Sequence, residues 1–247
     1  MKQSLVKRVV IATLAVSMAF APMMSYACTS FLLRGNDGGY VYGRTMEFGL
    51  PLKSEITAIP RNYLAKGIGI DGMYGSGMSW TAKYAAVGMN PLGLPELVDG
   101  MNEKGMSGGL MNAPGTAVYQ KPSATDSKNS IASYQMLVYA LSNFATVDEV
   151  KKSFSQIFVN SSSLGAYKGI VQVRMQLHDA QGKSIVVEYL DGKLVIHDNP
   201  IGVTTNDPAF AWHLTNLGNY VNLTPVEHNS VSIKGQVFNP PSSGSGL

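Results

Sequence analysis

The chain's single cysteine, Cys28, stands immediately after a basic-then-apolar leader. Everything from that point on must fold on burial and hydrogen bonding alone, because one cysteine cannot form an intramolecular disulfide. In the leader, Lys2, Lys7 and Arg8 supply the basic start, and residues 9–21 form an apolar run of 13 residues. Ser25-Tyr26-Ala27 then places small side chains at the two positions a signal peptidase reads. A spanning helix needs roughly 20 apolar residues, and Pro22 ends this run first. The pattern predicts a secretory signal peptide over residues 1–27 and a folded domain over 28–247. No membrane span is expected once the signal is removed, and the location expected is the periplasm or exterior of a Gram-negative bacterium.

Cleavage after Ala27 would make Cys28 the first mature residue, and two chemistries use a cysteine there. A lipoprotein carries diacylglycerol on that thiol, giving a lipid-anchored periplasmic binding protein, but such signals favour Leu where this chain has Ser25. An N-terminal nucleophile instead uses the thiol to attack and its own α-amine to move the proton. The two groups titrate near 8.5 and 7.7–8.0, so exchange between them is nearly balanced around neutral pH. The two uses exclude each other, since acylation blocks both groups.

The formal charge is +3, but Lys2, Lys7 and Arg8 carry all of it. Taking these three from the 19 Lys and Arg leaves 16, against 16 Asp and Glu. A neutral body gives no electrostatic case for nucleic acid. His178, His197, His213 and His228 show no ligand spacing, so no metal is expected.

Two strand-like runs around Gly35-Asn36-Asp37-Gly38-Gly39 predict a hairpin that starts at Cys28. Arg44 and Glu47 lie three apart, so a straight strand would send them to opposite faces. The glycine-rich stretch 60–84 lacks a phosphate-loop ending and reads as a flexible loop beside a pocket. Strands are expected over 85–90 and 106–113, with 99–105 as the turn between sheet elements. Tyr134, Leu137, Val138 and Leu141 recur at helical spacing, and Thr146-Val147-Asp148-Glu149 opens a second helix as a capping box. Strands over 169–178, 184–190 and 193–197 form a meander with Asp191-Gly192 as a hairpin turn. A strand over 201–205 and a helix over 208–220 follow. Strands, then helices, then strands make an α+β layered domain.

Four segments carry a resemblance: Cys28-Thr29-Ser30-Phe31, Tyr42-Gly43-Arg44-Thr45-Met46-Glu47, Asp99-Gly100-Met101-Asn102-Glu103-Lys104-Gly105-Met106, and Thr204-Thr205-Asn206-Asp207-Pro208. In this order they resemble the choloylglycine hydrolase family of penicillin V acylases and bile salt hydrolases. These are N-terminal-nucleophile (Ntn) hydrolases with a four-layer αββα sandwich of antiparallel sheets. The resemblance implies hydrolysis of a linear, non-peptide amide without cofactor, by attack of Cys28. It makes Arg44 the cation beside the thiol, where positive charge favours thiolate. Glu47 falls where many members carry an Asp that orients the α-amine. Asn206 becomes a donor to the oxyanion, a role worth roughly 2.7–4 kcal/mol, although Asn206-Asp207-Pro208 also suits a helix cap. Asn112 joins the oxyanion hole or substrate site, while Asn102 and Glu103 belong to the motif or simply build a turn. The substrate expected is a small N-acyl amide with an apolar acyl part, received by Met73, Tyr74, Met78 and Trp80 unless these are core. A homo-oligomer is left open. Family members continue beyond residues 240–247 into strands holding a second active-site arginine, so the sequence is expected to be either a fragment or a shortened variant, and a truly short chain to lose activity or to aggregate through unpaired strand edges.

Overall fold

The computed structural model describes residues 28–49, 51–123, 125–164, 169–221 and 229–238. The leader at 1–27, His228 and the stretch 239–247 lie outside the described residues. In chain order the strands are β1 (Cys28–Arg34), β2 (Tyr40–Met46), β3 (Ile56–Ile59), β4 (Leu64–Ile68), β5 (Tyr74–Thr81), β6 (Ala86–Met89), β7 (Asp99–Asn102), β8 (Ser107–Asn112) and β9 (Ser130–Ala132). They continue as β10 (Phe158–Asn160), β11 (Ser163–Leu164), β12 (Gly169–Ile170), β13 (Val173–His178), β14 (Ser184–Leu190), β15 (Lys193–Asp198), β16 (Val203–Thr205), β17 (Val231–Ile233) and β18 (Gln236–Phe238). The α-helices are α1 (Met136–Asn143), α2 (Val147–Ser153) and α3 (Phe210–Leu217).

The hairpin expected at Cys28 forms, registering Cys28 with Met46 at its open end and Arg34 with Tyr40 at the turn. Gly35 and Gly39 close that turn through an N–H···O bond of 2.7 Å, and Gly38 takes φ 84°, which few side chains tolerate. β16 pairs with the other side of β1, giving the order β16-β1-β2. The second sheet runs β15-β14-β13-β8-β7-β6-β3, with every pairing antiparallel. Asp191 and Gly192, both at positive φ, join β14 to β15 as the sequence suggested.

Burial explains the layering. β13 is buried at every position and β14 at all but its last, as expected of strands covered on both faces. One cover is α1, whose Leu137 and Leu141 are fully buried and whose C-terminal carbonyls are taken by Asn102. The other cover is the three-stranded sheet. Ser30 Oγ donates to Gln176 Oε1 across the gap, and Tyr42 Oη donates to Asp99 Oδ2 at 3.3 Å. The described residues therefore stack helix on sheet on sheet, in keeping with the αββα sandwich. β9 and β10 are an exception to the antiparallel rule, pairing parallel.

Three local expectations are corrected. Residues 60–84 contain the hairpin β4–β5 rather than a flexible loop. Its glycines serve close packing: a Cβ at Gly77 or Gly67 would meet the Ser130 carbonyl oxygen at 2.4 or 2.7 Å, so they admit β9 across the hairpin. The segment 99–105 is a strand over its first half, and only Glu103-Lys104-Gly105 turn. The helix expected from 208 begins at Phe210.

Candidate active site

Cys28 is 2% exposed and flanked on both sides by strands. Met46 stands opposite it on β2. On β16 the last registered pair is Thr29 with Thr205, so continuing the antiparallel register by one residue sets Asn206 beside Cys28. Thr205 Oγ1 donates to the Cys28 carbonyl at 2.6 Å, tying the strand end to β16. The thiol points toward the Glu47 carbonyl, 3.8 Å from Sγ. Glu47 thus meets Cys28 through its backbone, while the residue itself is exposed.

Opposite residues of antiparallel strands share a face, and so do alternate residues along a strand. Cys28, Ser30, Arg44 and Met46 therefore occupy one face of the hairpin, the one turned to the larger sheet. Arg44 reaches across: its Nη1 donates to Val98 O at 2.5 Å, its Nη2 donates to Leu110 O, and Asp99 lies 3.7 Å away. Gly109 makes room for this, because a Cβ there would stand 2.5 Å from Arg44 Nη1 and 2.8 Å from Tyr42 Oη. The guanidinium, with its side chain 5% exposed, therefore rivets the two sheets together.

Arg44 and Met46 also border a cavity of about 300 Å³. Its wall is almost wholly apolar, including Leu52, Val98, Leu110 and Tyr134, and Asn112 at the end of β8 is among its few polar groups. Such a lining suits an apolar ligand oriented by a small number of fixed donors. Among the described residues no group of three His, Cys, Asp or Glu is placed to hold a metal, and no helix is long and apolar enough to cross a membrane.

The remaining candidates lie elsewhere. Asn102 Oδ1 accepts the amides of Lys104 and Met106 and so builds the β7–β8 turn, while Glu103 Oε1 accepts from Arg61 Nε and the Ala85 amide and ties that turn to the start of β6. Met73 and Tyr74 are exposed, and Trp80 is buried with its indole N–H donating to Ser142 Oγ at 2.9 Å. None of the three borders the apolar cavity, and neither does Met78. Tyr74 and Trp80 instead flank a small cleft that holds Glu96. Asp207, expected with Asn206 to cap the following helix, instead takes the Gly115 amide at 2.7 Å, and the buried pair Arg174–Glu188 at 2.8 Å went unnoticed in the sequence. A charged residue in a strand buried on both faces was the available signal.

Glu96 provides a test of the core. Burial pushes its carboxyl from an ordinary 4.5 up to about 8, and Gln135 Nε2 donates to it at 2.9 Å in partial opposition. Between these two values the folded protein keeps a proton that the unfolded chain has lost. Stability present below pH 4.5 is therefore withdrawn as pH climbs toward 8, at up to about 1.4 kcal/mol per pH unit. Glu96→Gln should match the parent's Tm near pH 5 and exceed it near pH 8. Equal Tm values at both would mean that the carboxyl ionises freely in the fold.

A family profile described as linear amide C-N hydrolases, choloylglycine hydrolase family, matches residues 28–247. The chain belongs to the choloylglycine hydrolase family. Among relatives, it is 32% identical over 222 residues to a bile salt hydrolase/transferase of Clostridium perfringens, covering 89% of this chain and 65% of that one. It is 30% identical over 219 residues to a penicillin V acylase of Pectobacterium atrosepticum, covering 85% and 57%. In structure it is similar to a conjugated bile acid hydrolase variant from Clostridium perfringens, with TM-score 0.72 at 32% identity over 89% of this chain and 66% of that one. A penicillin V acylase from Agrobacterium tumefaciens matches with TM-score 0.65 at 25% identity over 81% and 60%. The chain thus spans about two thirds or less of the length of these choloylglycine hydrolase relatives.

Proposed function

We propose that the protein is an exported cysteine amidase that cleaves the C–N bond of a linear N-acyl amide through an acyl-enzyme on Cys28. The observation that carries this reading is Cys28 at a strand end opposite Met46, with Arg44 and Met46 of the same hairpin face lining an apolar cavity of about 300 Å³. In the mature form the thiolate adds to the amide carbonyl. Asn206 and Asn112 donate to the oxyanion, and Glu47 orients the α-amine. The α-ammonium protonates the departing amine; the resulting α-amine then takes a proton from the water that hydrolyses the thioester. Arg44 supplies positive potential and fixes the sheet spacing that the site depends on. The relatives' names point to penicillin V and conjugated bile acids as substrates, and N-acyl homoserine lactones share the same bond.

Lipid attachment would need a thiol free to leave the sheet, and Cys28 is 2% exposed between two strands. The test is intact mass of the exported protein combined with amine release from penicillin V, glycine- and taurine-conjugated bile acids and an N-acyl homoserine lactone. A mass beginning at an unmodified Cys28 with release from at least one amide is the expected result. A diacylglycerol adduct overturns the reading, and so does no release from any of them both by this chain and by one extended with the C-terminal strands of its relatives.

A further inference from the structure

Arg174 and Glu188 have no part in the chemistry above, yet they lie against Asn206. Arg174 on β13 and Glu188 on β14 have side chains 1% and 2% exposed, joined Nη1 to Oε1 at 2.8 Å. Arg174 Nη2 donates to the Asn206 carbonyl at 2.5 Å and also to the Pro208 carbonyl. Glu188 accepts the Phe210 amide at 3.1 and 3.2 Å from its two oxygens, with His197 Nε2 3.4 Å from Oε2. One ion pair thus takes a backbone group from residues 206, 208 and 210, all along the connection from β16 into α3. The same connection is held from the other side: Asp207 accepts from Gly115 N and Thr116 Oγ1, and His213 Nε2 lies 3.0 Å from the Asn206 carbonyl.

A buried ion pair is a weak source of stability, since desolvation offsets most of the attraction, and apolar residues of similar volume commonly replace one at no loss. The planar fork of an arginine offers direction instead, fixing two acceptors at once. We infer that Arg174, itself held by Glu188, is a positioning residue that locks the Asn206 backbone so that the side-chain amide is already aimed at the oxyanion beside Cys28. Preorganised donors work because no reorganisation is needed as charge develops. This rests on the donor role proposed for Asn206, and the experiment separates the two.

Amine release is measured for protein starting at Cys28, with a panel amide that the parent hydrolyses. Asn206→Ala is expected to lower kcat about 100- to 1,000-fold. The paired change Arg174→Met with Glu188→Leu removes both buried charges together, so that neither is stranded; unchanged far-UV circular dichroism verifies that the fold is kept, with Tm lowered because the Asn206, Pro208 and Phe210 backbone groups lose these partners. It should lower kcat about 10- to 100-fold with KM within about threefold, as loss of a transition-state contact does. Adding Asn206→Ala should then cost nothing more than Asn206→Ala alone, because both remove one interaction. Arg174→Lys, which keeps the charge without the fork, should fall between parent and pair. A pair variant with parental kcat, or losses that multiply with Asn206→Ala, overturns the inference. Parental kcat in Asn206→Ala itself removes the donor role, and the inference falls with it.

Discussion

Cys28→Ala should eliminate amide hydrolysis, with kcat falling by a factor on the order of 10⁴ or more, while the protein still folds. The loss follows from chemistry: neither an alanine methyl nor the oxyanion donors can form the acyl-enzyme, and nucleophile deletions in comparable acyl-transfer sites cost this much or more. Retention of fold follows from the structure, because the thiol's polar contact is a long one to the Glu47 carbonyl, 3.8 Å away, and Ala keeps the Cβ between the flanking strands. The expected destabilisation is about 1 kcal/mol. The measurement is amine release beside thermal unfolding of the same preparation. Turnover at the parent's rate in a folded Cys28→Ala protein would exclude the thiol as nucleophile.

Arg44→Met should combine a large stability loss with loss of turnover. The side chain donates to the carbonyls of Val98 and Leu110 and stands 3.7 Å from Asp99, so its removal takes a charged donor from both carbonyls, leaving Val98 with only the Leu110 amide, and leaves the Asp99 carboxylate between the sheets with Tyr42 Oη but no cation. About 3 kcal/mol is expected, which for a domain of this size lowers Tm by roughly 6–12 °C. The deficit should also depend on pH. Burial already raises the Asp99 carboxyl above its ordinary range, with Arg44 pulling it back down. Without the guanidinium it rises further, the folded state holds its proton where the unfolded chain has released it, and stability is lost with increasing pH. The Tm gap from the parent should therefore be wider at pH 8 than at pH 5. A gap that is small, or narrower at pH 8, would mean that Arg44 is not the rivet between the sheets.

Legibility in the sequence followed the range over which each feature is encoded. The hairpin at Cys28 was readable because an Asn/Asp/Gly turn and two β-rich runs lie within twenty residues, and α1 because its apolar spacing is local. The β4–β5 hairpin was missed since its glycines look like loop residues until β9 is laid across them; the close approach to the Ser130 carbonyl is what requires them. In the same way, Met73, Tyr74 and Trp80 resembled pocket walls by type, whereas the cavity is built from Met46, Val98, Leu110 and Tyr134, which are far apart in the chain.

The four motifs pointed to the family and marked Cys28, Arg44, Glu47 and Asn206 as the residues to examine. They did so because each chemistry-bearing side chain is embedded in a short local context of strand and turn. Tertiary structure decided where those side chains go: Arg44 into the seam between sheets, Glu47 to Cys28 through its carbonyl, and Asn206 into a connection gripped by Arg174, Glu188 and Asp207. The physical reason is that a buried charge selects its partner by the register and packing of distant strands. Neither Arg174 nor Glu188 carries in its own neighbourhood any sign of which backbone group it will hold.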